Sequence, residues 1–376
     1  MSEGTYSPVT QGEPAGDAVK EIEPQRWRKT LRSLGWKVFP FVSALLYLSD
    51  VLSTFCYVGV LFSLASERDV ILRGLNFRWW GSLIIIVHVV SGIFINFIAT
   101  FYRHEIKILS VKKKVLEGLK CIFIPEFYVC LAMYRHAEMA VSGGPTSVNV
   151  VERAAFTRVL QAVLETVPQT IIQAYFFFTD FTPRATSFLT WTPVASMCLS
   201  MISAAFGYTF FVVYKYYDQE YEYPHFWQCS LVALASLLIL GSRALTLSVM
   251  ASFYWPWLAL LSLLITVLIS FVWWTYKVWK QNKPAHKNIV MRIAFSIIET
   301  FAVSENIKRM LVISTVFAGL TVASAIQHHN TPEEWSLVWL PFTAQVLGCL
   351  LVLPCRHVYK KAYRVLVLSV MRATTE

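Results

Sequence analysis

The stretch that decides the fold is residues 150–178, VVERAAFTRVLQAVLETVPQTIIQAYFFF. It is long enough to cross a bilayer, because a spanning helix needs about 20 mostly apolar residues. Polar side chains interrupt it at spacings of 3, 4, 4 and 4 residues: Arg158, Gln161, Glu165, Gln169 and Gln173. At about 100° per residue they stay within a sector roughly 120° wide and about 22 Å long. The stretch is therefore predicted to be a membrane helix with a polar stripe.

Composition extends the membrane assignment to the whole chain. The 376 residues are 56% hydrophobic and 15% charged, against about 45–50% and 25% in soluble domains. One soluble core cannot hide that much apolar surface. The net charge of +10 sits in short basic loops between apolar runs, as in the cytosolic loops of membrane proteins. This pattern excludes a nucleic-acid-binding protein.

Seven further stretches qualify or nearly qualify as spans: Val38–Leu64, Trp79–Tyr102, Ala185–Tyr214, Phe226–Tyr254, Trp257–Trp279, Met310–Gln327 and Trp335–Cys355. Two shorter apolar stretches, Cys121–Tyr134 and Ile289–Val303, are interrupted by charged residues. Such segments are tolerated as re-entrant or interfacial helices where protein buries their ends. The sequence predicts an all-α polytopic membrane protein with about eight transmembrane helices and two re-entrant or interfacial helices.

The chain divides into three parts. Residues 1–37 are polar, contain Pro and Gly, and are predicted to be a disordered cytosolic tail. Residues 38–356 form the transmembrane domain, and residues 357–376 form a short cytosolic tail. Basic loops fall on one side if both termini are cytosolic. The order span, span, short segment, span, span occurs over 38–214 and again over 226–356, which favours a two-fold internal repeat.

Ionisable residues inside spans are the main functional signal. Asp50, Glu165 and Arg243 lie near the middle of their stretches, where each costs about 2.5–3.5 kcal/mol if unpaired. Their common depth predicts a shared interior site. A set of buried charges can also simply lock helices together, and that alternative stays open.

The stripe extends this site into a polar path across the membrane. Pro168 lies within the stripe and is predicted to kink the helix and free a carbonyl near the midplane. The candidate pathway residues are Asp50, Arg158, Glu165, Gln169, Gln173 and Arg243. The sequence contains no metal-ligand spacing, no GxxxxGK[ST] and no EF-hand loop, so neither a metal, a cofactor nor an enzymatic activity is predicted.

Two segments carry a resemblance to a known family. AFTR at 155–158 followed by LETVPQTIIQ at 164–173 is similar to the signature of the XK-related family. Weaker echoes are LSD at 48–50 and SRA at 242–244. The resemblance covers most of 38–356. It implies an eight-span fold with two partly inserted helices.

For several family members the resemblance also implies passive scrambling of phospholipids between leaflets. The expected function is phosphatidylserine exposure at the plasma membrane, linked to apoptosis, with membrane phospholipids as the partners. In this scheme Arg158 and Arg243 meet the lipid phosphate, while Asp50 and Glu165 meet the amine or choline.

The sequence differs from the vertebrate scramblases of this family in the site of activation. Vertebrate scramblases of this family are activated by caspase cleavage at an Asp in a cytosolic tail, but residues 356–376 contain no Asp. Asp17 in the first tail is the remaining candidate for an activating protease. Two other functions stay open: a non-catalytic membrane subunit that docks a partner protein, and a secondary transporter for a small amphipathic solute.

Overall fold

A computed structural model of the chain describes residues 18–65, 77–101, 116, 119, 127–142, 148–179, 187–220, 224–253, 256–280, 289–301, 307–327 and 332–362. Every regular element in these ranges is a helix, so the all-α prediction is confirmed for the described part of the chain. Asp17, the candidate cleavage site, lies outside the described residues.

The first half of the chain contains a long helix that changes its winding within the polar stripe. The elements are α1 (Ala18–Leu64), α2 (Phe77–Phe101), α3 (Phe127–Ser142), α4 (Val148–Gln161), a π turn (Ala162–Thr166), α5 (Val167–Thr179) and α6 (Ser187–Glu220). The second half contains α7 (Phe226–Phe253), α8 (Pro256–Lys280), α9 (Ile289–Phe301), α10 (Ile307–Gln327), α11 (Pro332–Val352) and α12 (Arg356–Ala362).

The start of α1 differs from the sequence prediction. Residues 18–37, expected to belong to a disordered tail, form the first part of α1. Ala, Glu, Lys, Arg and Leu dominate this segment, and all five are good helix formers. Extending an existing membrane helix also avoids the unfavourable nucleation step that an isolated helix needs.

The distribution of side chains is the inverse of that in a soluble protein. Large apolar residues on α8 point outward, with exposed fractions of 49–60% for Leu261, Leu264, Ile265, Leu268 and Ile269. Charged residues face inward, with exposed fractions of 0–3% for Asp50, Arg158, Glu165 and Arg243. An apolar exterior around a polar interior is stable only in lipid. The chain is therefore an integral membrane protein.

Five helices among the described residues are long and apolar enough to cross a bilayer: Val38–Ser63, Phe77–Ile98, Trp191–Tyr216, Phe226–Ser252 and Pro256–Tyr276. A sixth is counted if Trp339–Val352 and Arg356–Ala362, which meet at 79°, make one bent span. The predicted span at 150–178 does not qualify because the π turn divides it into α-helical pieces of 14 and 13 residues. A total of eight spans stays a prediction.

Contacts fix the relative directions of the helices around the stripe. Ser43 of α1 contacts Arg158, and Thr54 contacts Gln169, so α1 runs parallel to α4 and α5. On α2 the order is reversed, because Ser91 contacts Leu164 whereas Trp80 contacts Tyr175. Since α2 is antiparallel to α4 and α5, the last residue of α2 and the first residue of α4 lie at the same face of the bundle.

The helices of the two short apolar segments are too short to span. α3 has 16 residues and α9 has 13, which correspond to about 24 Å and about 20 Å at 1.5 Å per residue. The hydrocarbon core is about 30 Å thick. The first turn of α3 lies beside α2, where the amide of Tyr128 donates to Asn96 Oδ1 at 3.0 Å. Their lengths fit the partly inserted course predicted from the sequence.

Candidate functional site

The five stripe residues all face the protein interior, with exposed fractions of 0–2%. Arg158, Glu165 and Gln169 form hydrogen bonds with polar side chains of α1 and α2, or of α6, and the bonds of this region fall into three groups around Arg158, Asp50 and His88. We call this set the polar column; its members are Ser43, Asp50, Thr54, His88, Arg158, Gln161, Glu165, Thr166, Gln169, Ser200 and Ser203.

Arg158 forms one end of the polar column. Its guanidinium donates to Ser43 Oγ at 3.2 Å, to Ser203 Oγ at 3.1 Å and to the amide oxygen of Gln161. The ring of Tyr47 lies 5.5 Å from Cζ, within the range of a cation–π contact. Hydroxyl and amide oxygens surround this cation, which is the kind of environment that keeps a buried charge hydrogen-bonded.

Asp50 lies in the middle of the polar column. Ser200 donates to one carboxylate oxygen at 2.5 Å, and Thr166 donates to the other at 3.2 Å. These contacts connect α1 to α6 and to the π turn. The carboxylate thus joins three elements through hydrogen bonds from hydroxyl groups. If one of these helices moves, the carboxylate can accept hydrogen bonds from other donors instead.

Glu165 and Gln169 meet at His88 of α2. His88 Nδ1 lies 2.7 Å from Glu165 Oε1 and 3.3 Å from Gln169 Nε2. Thr54 donates to the amide oxygen of Gln169 at 3.5 Å. His88 is not among the candidate pathway residues predicted from the sequence. The sequence signal for a polar site at His88 is its spacing of three residues from Ser91, which places both side chains on one face of α2.

The helix changes from α to π at the centre of the polar column. The amide of Val167 donates to the carbonyl of Ala162, five residues earlier. Pro168 has no N–H to give to the carbonyl of Leu164, four residues before it. Ser91 Oγ donates to that carbonyl instead, at 2.7 Å. The freed carbonyl is therefore satisfied by a side chain of α2.

Gln173 continues the stripe beyond Gln169 and is completely buried. Neither atom of its amide group has a hydrogen-bond partner among the described residues. A buried amide without a partner costs about 1–3 kcal/mol per unsatisfied group. Such groups are uncommon in native proteins, and a functional role is one accepted reason for them.

Arg243 lies outside the polar column and has a different set of hydrogen-bond partners. Its guanidinium donates to the carbonyl of Thr300 at 2.7 Å and to Ser314 Oγ at 3.3 Å. Gln345 donates to the same hydroxyl at 2.6 Å and accepts from Ser242. We call Ser242, Arg243, Thr300, Ser314 and Gln345 the second polar network. It joins α7, α9, α10 and α11, whereas the polar column joins α1, α2, α4, α5 and α6.

An apolar cavity of about 630 Å³ lies against the π turn and α5, on the face next to the one that carries the stripe. Leu164, Pro168 and Ile171 contribute to one wall, and Ile297 and Phe301 of α9 contribute to another. The remaining walls come from the start of α2, the end of α7 and the first half of α8. Its volume lies within the usual range for ligand pockets, about 300–1,000 Å³. Its lining suits hydrocarbon rather than a polar solute.

A family model described as XK-related protein matches residues 38–352, which is most of the chain. The matched region contains all the residues of the polar column, the second polar network and the cavity lining. No curated protein matches the chain significantly.

Proposed function

Because the chain belongs to the XK-related family, we propose that it passively exchanges phospholipids between the two leaflets of the plasma membrane. The exchange exposes phosphatidylserine on the outer surface and is linked to apoptosis. Both termini are cytosolic, and the full fold has eight spans with α3 and α9 re-entrant. Transport runs down a gradient, so no energy source is needed.

The observation that carries the proposal is the position of the π turn and α5. Glu165 and Gln169 on one face belong to the polar column. Leu164 and Pro168 precede them by one residue each, lie on the neighbouring face about 100° away, and line the apolar cavity. One helical segment thus separates a polar environment from an apolar one. A phospholipid needs both environments at once, for its head group and its acyl chains.

The polar column has the chemical groups that a zwitterionic head group needs. Crossing bare hydrocarbon is prohibitive for a charged group, so each part of the head group must find a replacement for water. Arg158 is suited to the phosphate because guanidinium binds oxyanions in a fork geometry. Asp50 and Glu165 suit the amine or choline. Gln169 and Gln173 supply neutral donors and acceptors beyond Glu165.

The polar column is closed as it stands, since Asp50, Arg158 and Glu165 have exposed fractions of 1–3%. Lipid passage therefore requires the π turn and α5 to move away from α1 and α2. π turns commonly lie at functional sites in helices, and this one adjoins Pro168. Asp50 and Glu165 would then form hydrogen bonds with the lipid head group instead of with the hydroxyl and imidazole groups of the protein.

Reconstitution into liposomes tests the proposal. Vesicles contain a fluorescent phosphatidylcholine in both leaflets, and a membrane-impermeant reductant bleaches the outer leaflet. The protein is expected to raise the bleached fraction from about half towards completion, since exchange makes all lipid accessible. Absence of exchange, both for the full chain and after removal of residues 1–37, would refute the proposal.

Variants separate the pathway from folding. Asp50→Asn and Glu165→Gln keep the side-chain volume, and we expect each to slow exchange at least tenfold. The control is Glu138→Gln, an exposed acid on α3 that should leave the rate unchanged. If the chain exchanges no lipid but co-purifies with a stoichiometric partner, the docking function replaces this proposal. Uptake of a solute driven by an imposed gradient would favour a transporter.

A further inference from the structure

We propose that Arg243 is a positioning residue that anchors the end of α9 and thereby shapes the apolar cavity, rather than a site for the lipid phosphate. This inference rests on the proposed function for its effect on lipid exchange. The anchoring itself is independent of that function. It gives the second polar network a role separate from that of the polar column.

The first argument is the pair of groups that occupy the guanidinium. Nη1 donates to the carbonyl of Thr300 at 2.7 Å, and Nη2 donates to Ser314 Oγ at 3.3 Å. The ring of Phe317 lies 5.6 Å from Cζ. With an exposed fraction of 0%, Arg243 uses its planar fork to hold two helices to α7. A phosphate would have to displace the main-chain carbonyl of Thr300, which cannot rotate away, whereas the closest acceptors of Arg158 are side-chain oxygens of Ser43, Gln161 and Ser203, which can.

The second argument is the nature of the Thr300 carbonyl. α9 ends at Phe301, and the last four carbonyls of a helix have no partner within the helix. The negative end of the helix dipole also lies there, and a cation stabilises it. Arg243 lies about 26 Å along α7 from Phe226, at 1.5 Å per residue. α9 ends beside this position. Arg243 therefore supplies both the donor and the charge that a helix ending inside the protein needs.

The third argument connects this anchor to the cavity. Ile297 and Phe301 lie on α9 and line the cavity wall. Phe295 of the same helix packs against Phe156 of α4, with ring centroids 5.8 Å apart. α9 thus lies between the second polar network and the helix that carries the stripe. If the end of α9 is released, the wall formed by Ile297 and Phe301 loses its fixed position.

Two measurements on Arg243→Gln in lipid nanodiscs and liposomes test the anchor. The first is amide hydrogen exchange of residues 289–301, which we expect to accelerate roughly tenfold or more because a charge-assisted hydrogen bond at the helix end is lost. The second compares exchange of a fluorescent phosphatidylcholine with that of a fluorescent glucosylceramide, which has no phosphate. We expect Arg243→Gln to slow both lipids by the same factor. The comparison variant, Arg158→Gln in the polar column, is expected to slow the phosphate-bearing lipid more.

The outcomes are distinct. Wild-type hydrogen exchange in residues 289–301 of Arg243→Gln overturns the inference, and so does a loss confined to the phosphate-bearing lipid. Should Arg243→Gln fail to fold, Arg243→Lys and its combination with Ser314→Ala replace it. A single ammonium can still reach the Thr300 carbonyl, so Arg243→Lys alone should keep α9 nearer to wild type than the double variant does. If the wild type moves no lipid, the proposed function fails while the hydrogen-exchange comparison still decides the anchor.

Discussion

Ser91 on α2 donates a hydrogen bond of 2.7 Å to the main-chain carbonyl of Leu164. That carbonyl lies four residues before Pro168, whose nitrogen has no proton to donate. A hydroxyl group from a neighbouring helix thus replaces the missing main-chain donor next to the π turn. The same two helices are joined one turn away by His88 and Glu165, 2.7 Å apart. α2 therefore helps to hold the π turn in its closed position, together with Asp50 of α1.

Ser91→Ala should destabilise the protein by about 1–3 kcal/mol, because the Leu164 carbonyl becomes a buried acceptor without its donor. In a Pro168→Ala background the cost should be smaller, since the introduced alanine would supply the missing main-chain N–H. Thermal unfolding in detergent, followed by loss of the monodisperse chromatographic peak, measures both effects. Ser82→Ala, at a half-buried position of the same helix, is the control. An equal cost of Ser91→Ala in both backgrounds would contradict the link to Pro168.

The polar stripe could be predicted because helix geometry is periodic, and the structure buries all five of its members. Their average spacing of 3.75 residues exceeds the 3.6 of an α-helix. The one extra residue in the π turn offsets that drift. The turn itself was not predictable, because Pro168 indicates only that the α pattern is interrupted.

The partners of the charged residues could not be predicted in the same way. Position along an apolar stretch gives depth, but it does not give the direction in which a side chain points. Asp50, Glu165 and Arg243 have similar predicted depths, yet Arg243 bonds to α9 and α10 while Asp50 bonds to α6 and the π turn. His88 was missed for a related reason: a lone histidine acquires meaning only from the side chains that surround it.

Gln173→Leu is expected to raise thermal stability, because it removes a buried amide that has no hydrogen-bond partner among the described residues at a cost of about 1–3 kcal/mol. Lipid exchange should fall at the same time, since the polar path loses a donor and an acceptor. The matched variant is Gln345→Leu. Gln345 is also buried, but its amide is bonded to Ser242 and Ser314, so this variant should unfold at a lower temperature. Destabilisation by both variants to the same extent would show that the Gln173 amide is satisfied.

Gly348 of α11 lies directly against α7. A Cβ atom at this position would lie 2.7 Å from Ile239 Cγ1 and 3.2 Å from Leu238 Cβ. Gly348→Ala should therefore cost about 1–3 kcal/mol through overpacking. Ile239→Ala removes the clashing atom, so the double variant should lose less stability than the sum of the losses of the two single variants. Gly319→Ala, where no atom lies within 4 Å of the added Cβ, should leave the unfolding temperature unchanged or raised.

Lys215 and Glu152 form a buried ion pair that sequence reasoning did not identify. Lys215 Nζ lies 2.6 Å from Glu152 Oε1, and the two side chains are 2% and 21% exposed. Removing one partner of a buried pair costs about 3–5 kcal/mol because the other charge is left uncompensated. We expect the cost of Glu152→Gln to lie near the lower end of this range, since water reaches the carboxylate side of the pair.

Replacing both Lys215 and Glu152 by Met should recover most of the lost stability, because hydrophobic replacements of a buried pair are often neutral or stabilising. Thermal unfolding of Glu152→Met, Lys215→Met and the double Met variant gives the coupling free energy, and a coupling near zero would mean that the pair does not hold α4 to α6.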